Sequence, residues 1–327
     1  MTWRLFVSCA LLVGVNHGAS ASCGSASCPL NSYHFIGRGS LQLSYVYEYI
    51  NQDQIYVGSS KAFVGAIPQH HDEVQTINSR SVIRVHYGLS ERISLGVDLP
   101  FIHREHSHIH HHDGEDLWES WNYGGLGDLV VSARVALLVP SSQFDPHVSL
   151  LAGVKLPTGV TRAMNAEGEA AEVAIQPGSG STDGVVGIDF RQALLSVPTV
   201  SGEYSVLPLM VGTLFQFGGN GTDDWRFGNS LLVSVGTEYQ LARRASVLLQ
   251  FNGRFQGYAD VGSTGEPREN TGGSWIFASP GLNIQLSDEF SGYSYIQVPL
   301  YQNVHGIQQT AKLNLLLGIV ANVGLFD

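Results

Sequence analysis

From His34 onward the chain alternates apolar and polar residues with a period of two. That period belongs to extended strands with one face against an apolar medium and the other against polar groups. In Arg92–Phe101, residues Ile93, Leu95, Val97, Leu99 and Phe101 share one face, and Arg92, Ser94, Gly96 and Asp98 share the other. Twelve such segments follow in order, at about 35–50, 73–88, 91–104, 127–139, 146–158, 184–195, 203–217, 228–241, 244–258, 275–286, 290–303 and 311–325. Most reach the ~9–11 residues that a tilted membrane strand needs, whereas strands of soluble domains usually run to about five or six.

The connections alternate in length. Long stretches at 51–72, 105–125, 160–183, 218–227 and 259–274 are separated by short ones at 89–90, 140–145, 196–202, 242–243 and 287–289. Long loops on one side and tight turns on the other describe an outer-membrane barrel, in which the long loops face outward. The sequence therefore predicts an all-β fold: a closed antiparallel transmembrane β-barrel of about 12 strands, with both termini periplasmic. Closure is required because no water in a bilayer can satisfy an open sheet edge. Leu43, Ile83, Val85, Val131, Val135, Leu150, Val154, Val247, Leu249, Ile296, Val298, Leu313, Leu317 and Ile319 fall on the lipid face. A soluble sandwich or propeller is the alternative, but such folds have no reason to alternate loop lengths so regularly.

Composition agrees. Charged residues make up 14%, against roughly 25% in soluble domains. Beyond the leader, no stretch approaches the ~18 unbroken apolar residues of a membrane helix. The net charge of −11 argues against nucleic acid as a partner, because phosphate binding needs clustered Lys and Arg. Arg4, the apolar Leu5–Val15 and Ala19-Ser20-Ala21 read as a secretory signal peptide over 1–21. A short periplasmic segment at 22–33 and the barrel at 34–327 follow. Cys23 and Cys28, five positions apart in an oxidising compartment, predict a local disulfide.

The same parity sends charges and tyrosines inward. Arg84, His86, Asp98, Arg134, Lys155, Asp189, Arg191, Glu238 and Arg254 lie on the polar face, as does Lys312, and Tyr293, Tyr295 and Tyr301 share one face of the eleventh segment. Two readings stay open. In one, the charges pair across strands and fill the interior, since unpaired buried charge is costly. In the other, they and the tyrosines line a path for a small solute.

His103, His106, His108, His110, His111, His112 and Asp113 crowd one predicted outer loop, with Asp116 and Glu119 following. His70, His71 and Asp72 end the neighbouring loop, and Glu167, Glu169 and Glu172 make a third one acidic. Imidazole and carboxylate are ligands for zinc, copper or nickel. The run binds a divalent metal either adventitiously, with no cofactor implied, or as a metal-collecting mouth. An enzyme is not expected: no Gly-x-Ser-x-Gly elbow occurs, and Gly178–Asp183 is glycine-rich without a following helix.

Three motifs occur in order: Gly125-Leu-Gly-Asp-Leu129, Lys155-Leu-Pro-Thr-Gly159 and Gln176-Pro-Gly-Ser-Gly-Ser-Thr-Asp183, preceded by Leu99-Pro-Phe101. In these the chain resembles the outer-membrane transporter-like family annotated for the meta-pathway of phenol degradation, distantly similar to fatty-acid transporter barrels. The motifs cover about residues 80–190. The resemblance implies a barrel in the bacterial outer membrane whose partners are the lipid bilayer and a small, often hydrophobic or aromatic solute. The alternatives are a metal-acquisition barrel using the histidine loop, and a plugged structural or surface-binding barrel.

Overall fold

The computed structural model describes residues 36–67, 71–112, 115–200 and 202–325. The leader, Cys23, Cys28 and Asp113 lie outside the described residues.

Twelve long strands form a meander in which sequence neighbours pair antiparallel, and two extra strands, β2 and β5, decorate it. The strands are β1 (Ser40–Val57), β2 (Ser60–Lys61), β3 (His71–Gly88), β4 (Ile93–His112), β5 (Glu115–Leu126), β6 (Leu129–Leu138), β7 (His147–Leu156), β8 (Asp183–Pro198), β9 (Tyr204–Phe217), β10 (Ser230–Ala242), β11 (Ala245–Gln256), β12 (Gly273–Gln285), β13 (Phe290–Val304) and β14 (Ile307–Gly324). β14 pairs with β1 from Ser40↔Gly324 to Val57↔Ile307, which closes the barrel and leaves it no sheet edge.

Polarity is inverted relative to a soluble barrel. Along β1, Gln42, Ser44, Val46, Glu48, Ile50 and Gln52 are buried, while Leu43, Tyr45 and Tyr49 are exposed. Around the circumference Ile83, Val97, Val131, Val154, Ile188, Val235, Leu249, Leu282, Ile296 and Leu317 also face outward, whereas Asn78, Gln250, Asn252, Ser279, Gln297 and Asn314 are buried inside. An apolar girdle of this extent has no counterpart on soluble monomers and matches the lipid-facing band of a membrane barrel. The girdle ends near Tyr49 and Phe101; beyond them β4 turns His103 and Glu105 outward.

Two β-bulges correct the sequence parity. Ile276 pairs with Tyr301 but Phe277 pairs with Pro299, so Leu300 is an extra residue in β13. An extra residue flips every side chain beyond it. Tyr301 consequently lies on the outer face, 45% exposed, and Gln302 takes the inward position. In β14, Asn314 pairs with Ile50 and Ala311 with Gln52. The extra residue there turns Lys312 outward as well.

The predicted loop at 105–125 is also corrected. β4 runs through the histidines to His112 and returns as β5, a hairpin with His108 opposite Glu119 and His106 opposite Trp121. β5 and β6 occupy successive stretches of one edge of β4, interrupted at Gly127–Asp128. The real inward excursion is the β7–β8 connection, residues 157–182, which folds into the barrel mouth.

Candidate functional site

The three motifs that carried the resemblance converge on one buried knot at the base of the 157–182 loop. Lys155 Nζ lies 2.6 Å from Asp128 Oδ2 and 3.0 Å from Asp183 Oδ2, and also donates to the hydroxyl of Ser179. Asp128 Oδ2 accepts from the Ser179 amide at 2.9 Å and its hydroxyl at 2.6 Å, while Oδ1 accepts from the Gly159 amide at 3.0 Å. A Cβ on Gly159 would come within 2.6 Å of Gly178 Cα, so the crossing of the two loop arms requires glycine. Farther along, the Gln176 side chain accepts from the Ala163 amide at 2.8 Å and donates to the Ala171 carbonyl at 2.5 Å, bracing the loop from within.

The loop tip is fastened separately. The fully buried Arg104 donates through Nε to Asn78 Oδ1 at 2.5 Å and through a terminal nitrogen to the Ile175 carbonyl. Tyr123 Oη donates to the same carbonyl at 2.5 Å. Trp121 and Tyr123 from β5 pack on Ala163, Ala171 and Ile175, while Val173 and Ala174 pack on Trp225, Phe227 and Ala259 of two other long connections. The loop thus crosses the mouth and leaves beside it a cavity of ≈ 650 Å³. Ile55, Ala174, Trp225, Phe227 and Trp275 supply its apolar wall; Arg254, Gln256 and Gln309 supply polar groups.

Within the barrel, the predicted lumen charges are largely paired. Arg84 Nε is 3.2 Å and His86 Nε2 3.4 Å from Asp98, and Arg134 pairs with Asp189. Arg80 meets Glu48 at 3.4 Å. Glu238 accepts from Asn283 at 3.1 Å, Arg191 Nη1 lies 3.7 Å from Met210 Sδ, and Arg254 stands 5.4 Å over the Trp275 ring. Tyr293 and Tyr295 are buried in an apolar cluster with Val46, Val82, Leu248, Leu316 and Val320. Each ring covers a glycine of a neighbouring strand: a Cβ on Gly281 would come within 2.7 Å of the Tyr295 ring, and one on Gly318 would collide with Tyr293.

The hairpin sorts its histidines by strand parity. His103 is exposed, 3.6 Å from Glu105, and His111 sits between Asp72 at 2.9 Å and Asp116 at 2.8 Å. These two carboxylates raise the His111 pKa by accepting its hydrogen bonds. His106 and His108 are buried, and the half-buried His110 meets Glu119 at 3.2 Å. His112 ends β4. Opposite them, His71 Nε2 lies 3.1 Å from Glu172, 3.7 Å from Glu73 and 3.9 Å from Glu266. Burial, then the charge of Glu119, pushes Glu172 up to about 7; burial, then the charge of Glu172, does the same to Glu266, also to about 7. Three acids in one cleft outside the girdle are an electrostatic load that a proton or a cation relieves. Sequence reading missed Glu73 altogether and took Glu172 only as surface charge. The signal available was the two-residue spacing of His106, His108 and His110, which marks a strand face and not a loop.

No protein-family model matches the chain, and no curated protein matches it. Among solved structures it is similar to an outer-membrane channel from Pseudomonas putida F1, with a TM-score of 0.62 at 13% identity over 89% of this chain and 98% of that one. It is also aligned with a Pseudomonas aeruginosa FadL homologue (TM-score 0.42, 9% identity, 95% of this chain and 99% of that one). The Ralstonia pickettii toluene transporter TbuX aligns at a TM-score of 0.44 and 7% identity, over 88% of this chain and 90% of that one. The first of these likenesses shows the fold alone: a closed antiparallel barrel of the outer-membrane type.

Proposed function

We propose that this chain is an outer-membrane barrel that takes up a small hydrophobic or aromatic solute through its outer mouth, with the long connections outside and both termini periplasmic. The observation that carries the reading is the ≈ 650 Å³ cavity beside the inward loop. Its size is that of small-molecule sites, and its aromatic wall of Trp225, Phe227 and Trp275 stands opposite a polar one that includes Arg254, Glu73, Glu172 and Glu266. The meta-pathway resemblance and the fold of the P. putida channel support a transporter in preference to an enzyme. On this reading Tyr293, Tyr295 and the paired charges Arg84, His86, Asp98, Arg134 and Asp189 line the path that the solute takes through the barrel.

The test is binding of naphthalene to the detergent-solubilised chain, read by quenching of tryptophan fluorescence. Trp225→Ala and Phe227→Ala each weaken it at least tenfold under this reading. Quenching that is unchanged in both variants rejects the cavity as the solute site. A second reading, a plugged surface barrel, draws on the same apolar cluster and ion pairs. It is favoured if naphthalene binds but does not cross into vesicles carrying the protein.

A further inference from the structure

Three residues of the cavity wall, His71, Glu73 and Glu172, join the buried His108 behind them in a polar cluster that solute uptake does not require. His71 and Glu73 come from β3, His108 from β4 and Glu172 from the inward loop. One donor atom from each lies within 4.8 Å of all the others. The separations of 3.1 Å (His71 Nε2 to Glu172), 3.6 Å (His108 Nδ1 to Glu172) and 3.7 Å (His71 Nε2 to Glu73) bracket the edge of a tetrahedron with bonds of ~2.0 Å, which is about 3.3 Å.

The second imidazole is prepared for such a role. His108 is 4% exposed, and its Nδ1 has no hydrogen-bond partner. Its Nε2 meets Glu119 Oε2 at 2.9 Å. A carboxylate that accepts the far N–H fixes the tautomer and turns the other nitrogen's lone pair toward a metal. The His71 and His108 rings stack at 4.7 Å, which brings both nitrogens to the same Glu172 oxygen. Next to this, His106 Nδ1 meets the Thr76 hydroxyl at 2.9 Å, and that hydroxyl donates to Gln309 Oε1 at 2.5 Å. His106 Nδ1 is then the donor. Its unpartnered Nε2 presents a lone pair to the second oxygen of Glu73, 3.6 Å away. A proton shared between these two acceptors satisfies that contact and leaves the other oxygen of Glu73 facing His71.

We propose that His71, Glu73, His108 and Glu172 form a site for one divalent cation of the zinc class, with Glu266 as a flanking carboxylate. Three of the four ligands stand on the barrel wall and the fourth on the loop, so the bound ion clasps the 157–182 loop across the mouth. This goes beyond solute binding and is independent of it. The site is distinct from the outward-facing members of the histidine run, His103, which lies beside Glu105, and His111, which is held between Asp72 and Asp116.

The test is Zn²⁺ titration of the full-length purified chain by calorimetry, with X-ray absorption at the zinc edge. One tight ion per chain is expected, with two imidazole nitrogens and oxygen donors in its shell. Glu172→Gln, which preserves side-chain volume, and His71→Ala should each weaken it at least tenfold. A variant carrying His103→Ala, His111→Ala and His112→Ala should retain it within threefold. If the triple variant abolishes tight binding while Glu172→Gln and His71→Ala leave it intact, the ion belongs to the run and the proposal fails. A shell with one imidazole or none also overturns it. Neither readout involves solute, so naphthalene binding can fail while zinc binding stands, and the reverse.

Discussion

Replacing Lys155 by Met should unfasten the loop that shapes the mouth. Lys155 is the one cation among the partners described in the basal knot, where Asp128 and Asp183 both reach it within 3.0 Å. Asp183 is fully buried and Asp128 nearly so. Removing the ammonium leaves two carboxylates desolvated and facing each other, and breaking a buried pair by deleting one partner costs about 3–5 kcal/mol. If that cost falls on loop closure, the open fraction rises by about a hundred- to several-thousand-fold, at 1.4 kcal/mol per tenfold. A cysteine placed at Ala171, buried against Trp121 and Ile175, reports opening through its rate of maleimide labelling once Cys23 and Cys28 are replaced by Ser. When opening is fast relative to labelling, that rate tracks the opening equilibrium. Adding Asp128→Asn and Asp183→Asn to Lys155→Met should recover most of the protection, because a neutral network carries no orphaned charge. A labelling rate within about threefold of the parent in the single variant, below even 1 kcal/mol, would refute the assignment of the knot as the fastener.

Further consequences follow from the wall and the turns. Leu249→Arg places a charge on the girdle and should cost about 2–4 kcal/mol of folding into vesicles if it sits near the bilayer midplane; a cost below about 0.5 kcal/mol would remove Leu249 from the lipid face. Gly318→Val should displace the Tyr293 ring from the wall and lower stability by about 1–3 kcal/mol through overpacking, read by urea unfolding. At the β6–β7 turn, hydrogen bonds from the Ser141 hydroxyl and then from Ser142 hold the Asp145 carboxyl below its ordinary 3.8. A lowered acid stabilises the fold above its unfolded pKa and loses that contribution as pH falls through the folded value. The Ser141 and Ser142 amide resonances should therefore titrate with a midpoint below 3.8, and a midpoint above it contradicts the cap.

The barrel was legible because its determinants are local and periodic. Every strand carries its own alternation, and Ile93, Leu95, Val97 and Phe101 declare their face without reference to any partner. What defeated the reading was non-local. The bulges at Leu300 and beside Lys312 are set by the register of neighbouring strands, and one inserted residue reverses all parity beyond it. The histidine stretch looked like a loop because its composition is polar, yet above the girdle a strand has no reason to be apolar on either face. The site's ligands come from β3, β4 and a loop far along the chain, so no spacing rule links Glu73 or Glu172 to His108. The three motifs could be recognised as a set, but only the fold shows that they meet at Lys155.

Spin labels walked along β1 from Leu41 to Asp53 test most directly that this is a barrel spanning a membrane with its apolar face outward. In reconstituted vesicles, oxygen accessibility should rise at Leu43, Tyr45 and Tyr49 and fall at Ser44, Val46 and Glu48, with a period of two. Accessibility to a water-soluble nickel chelate should take over on the outward positions beyond the girdle, at Asn51 and Asp53. A chelate that reaches Leu43 and Tyr45 as readily as Asp53 would mean that the girdle faces water, and the account of this chain as a membrane barrel would be wrong.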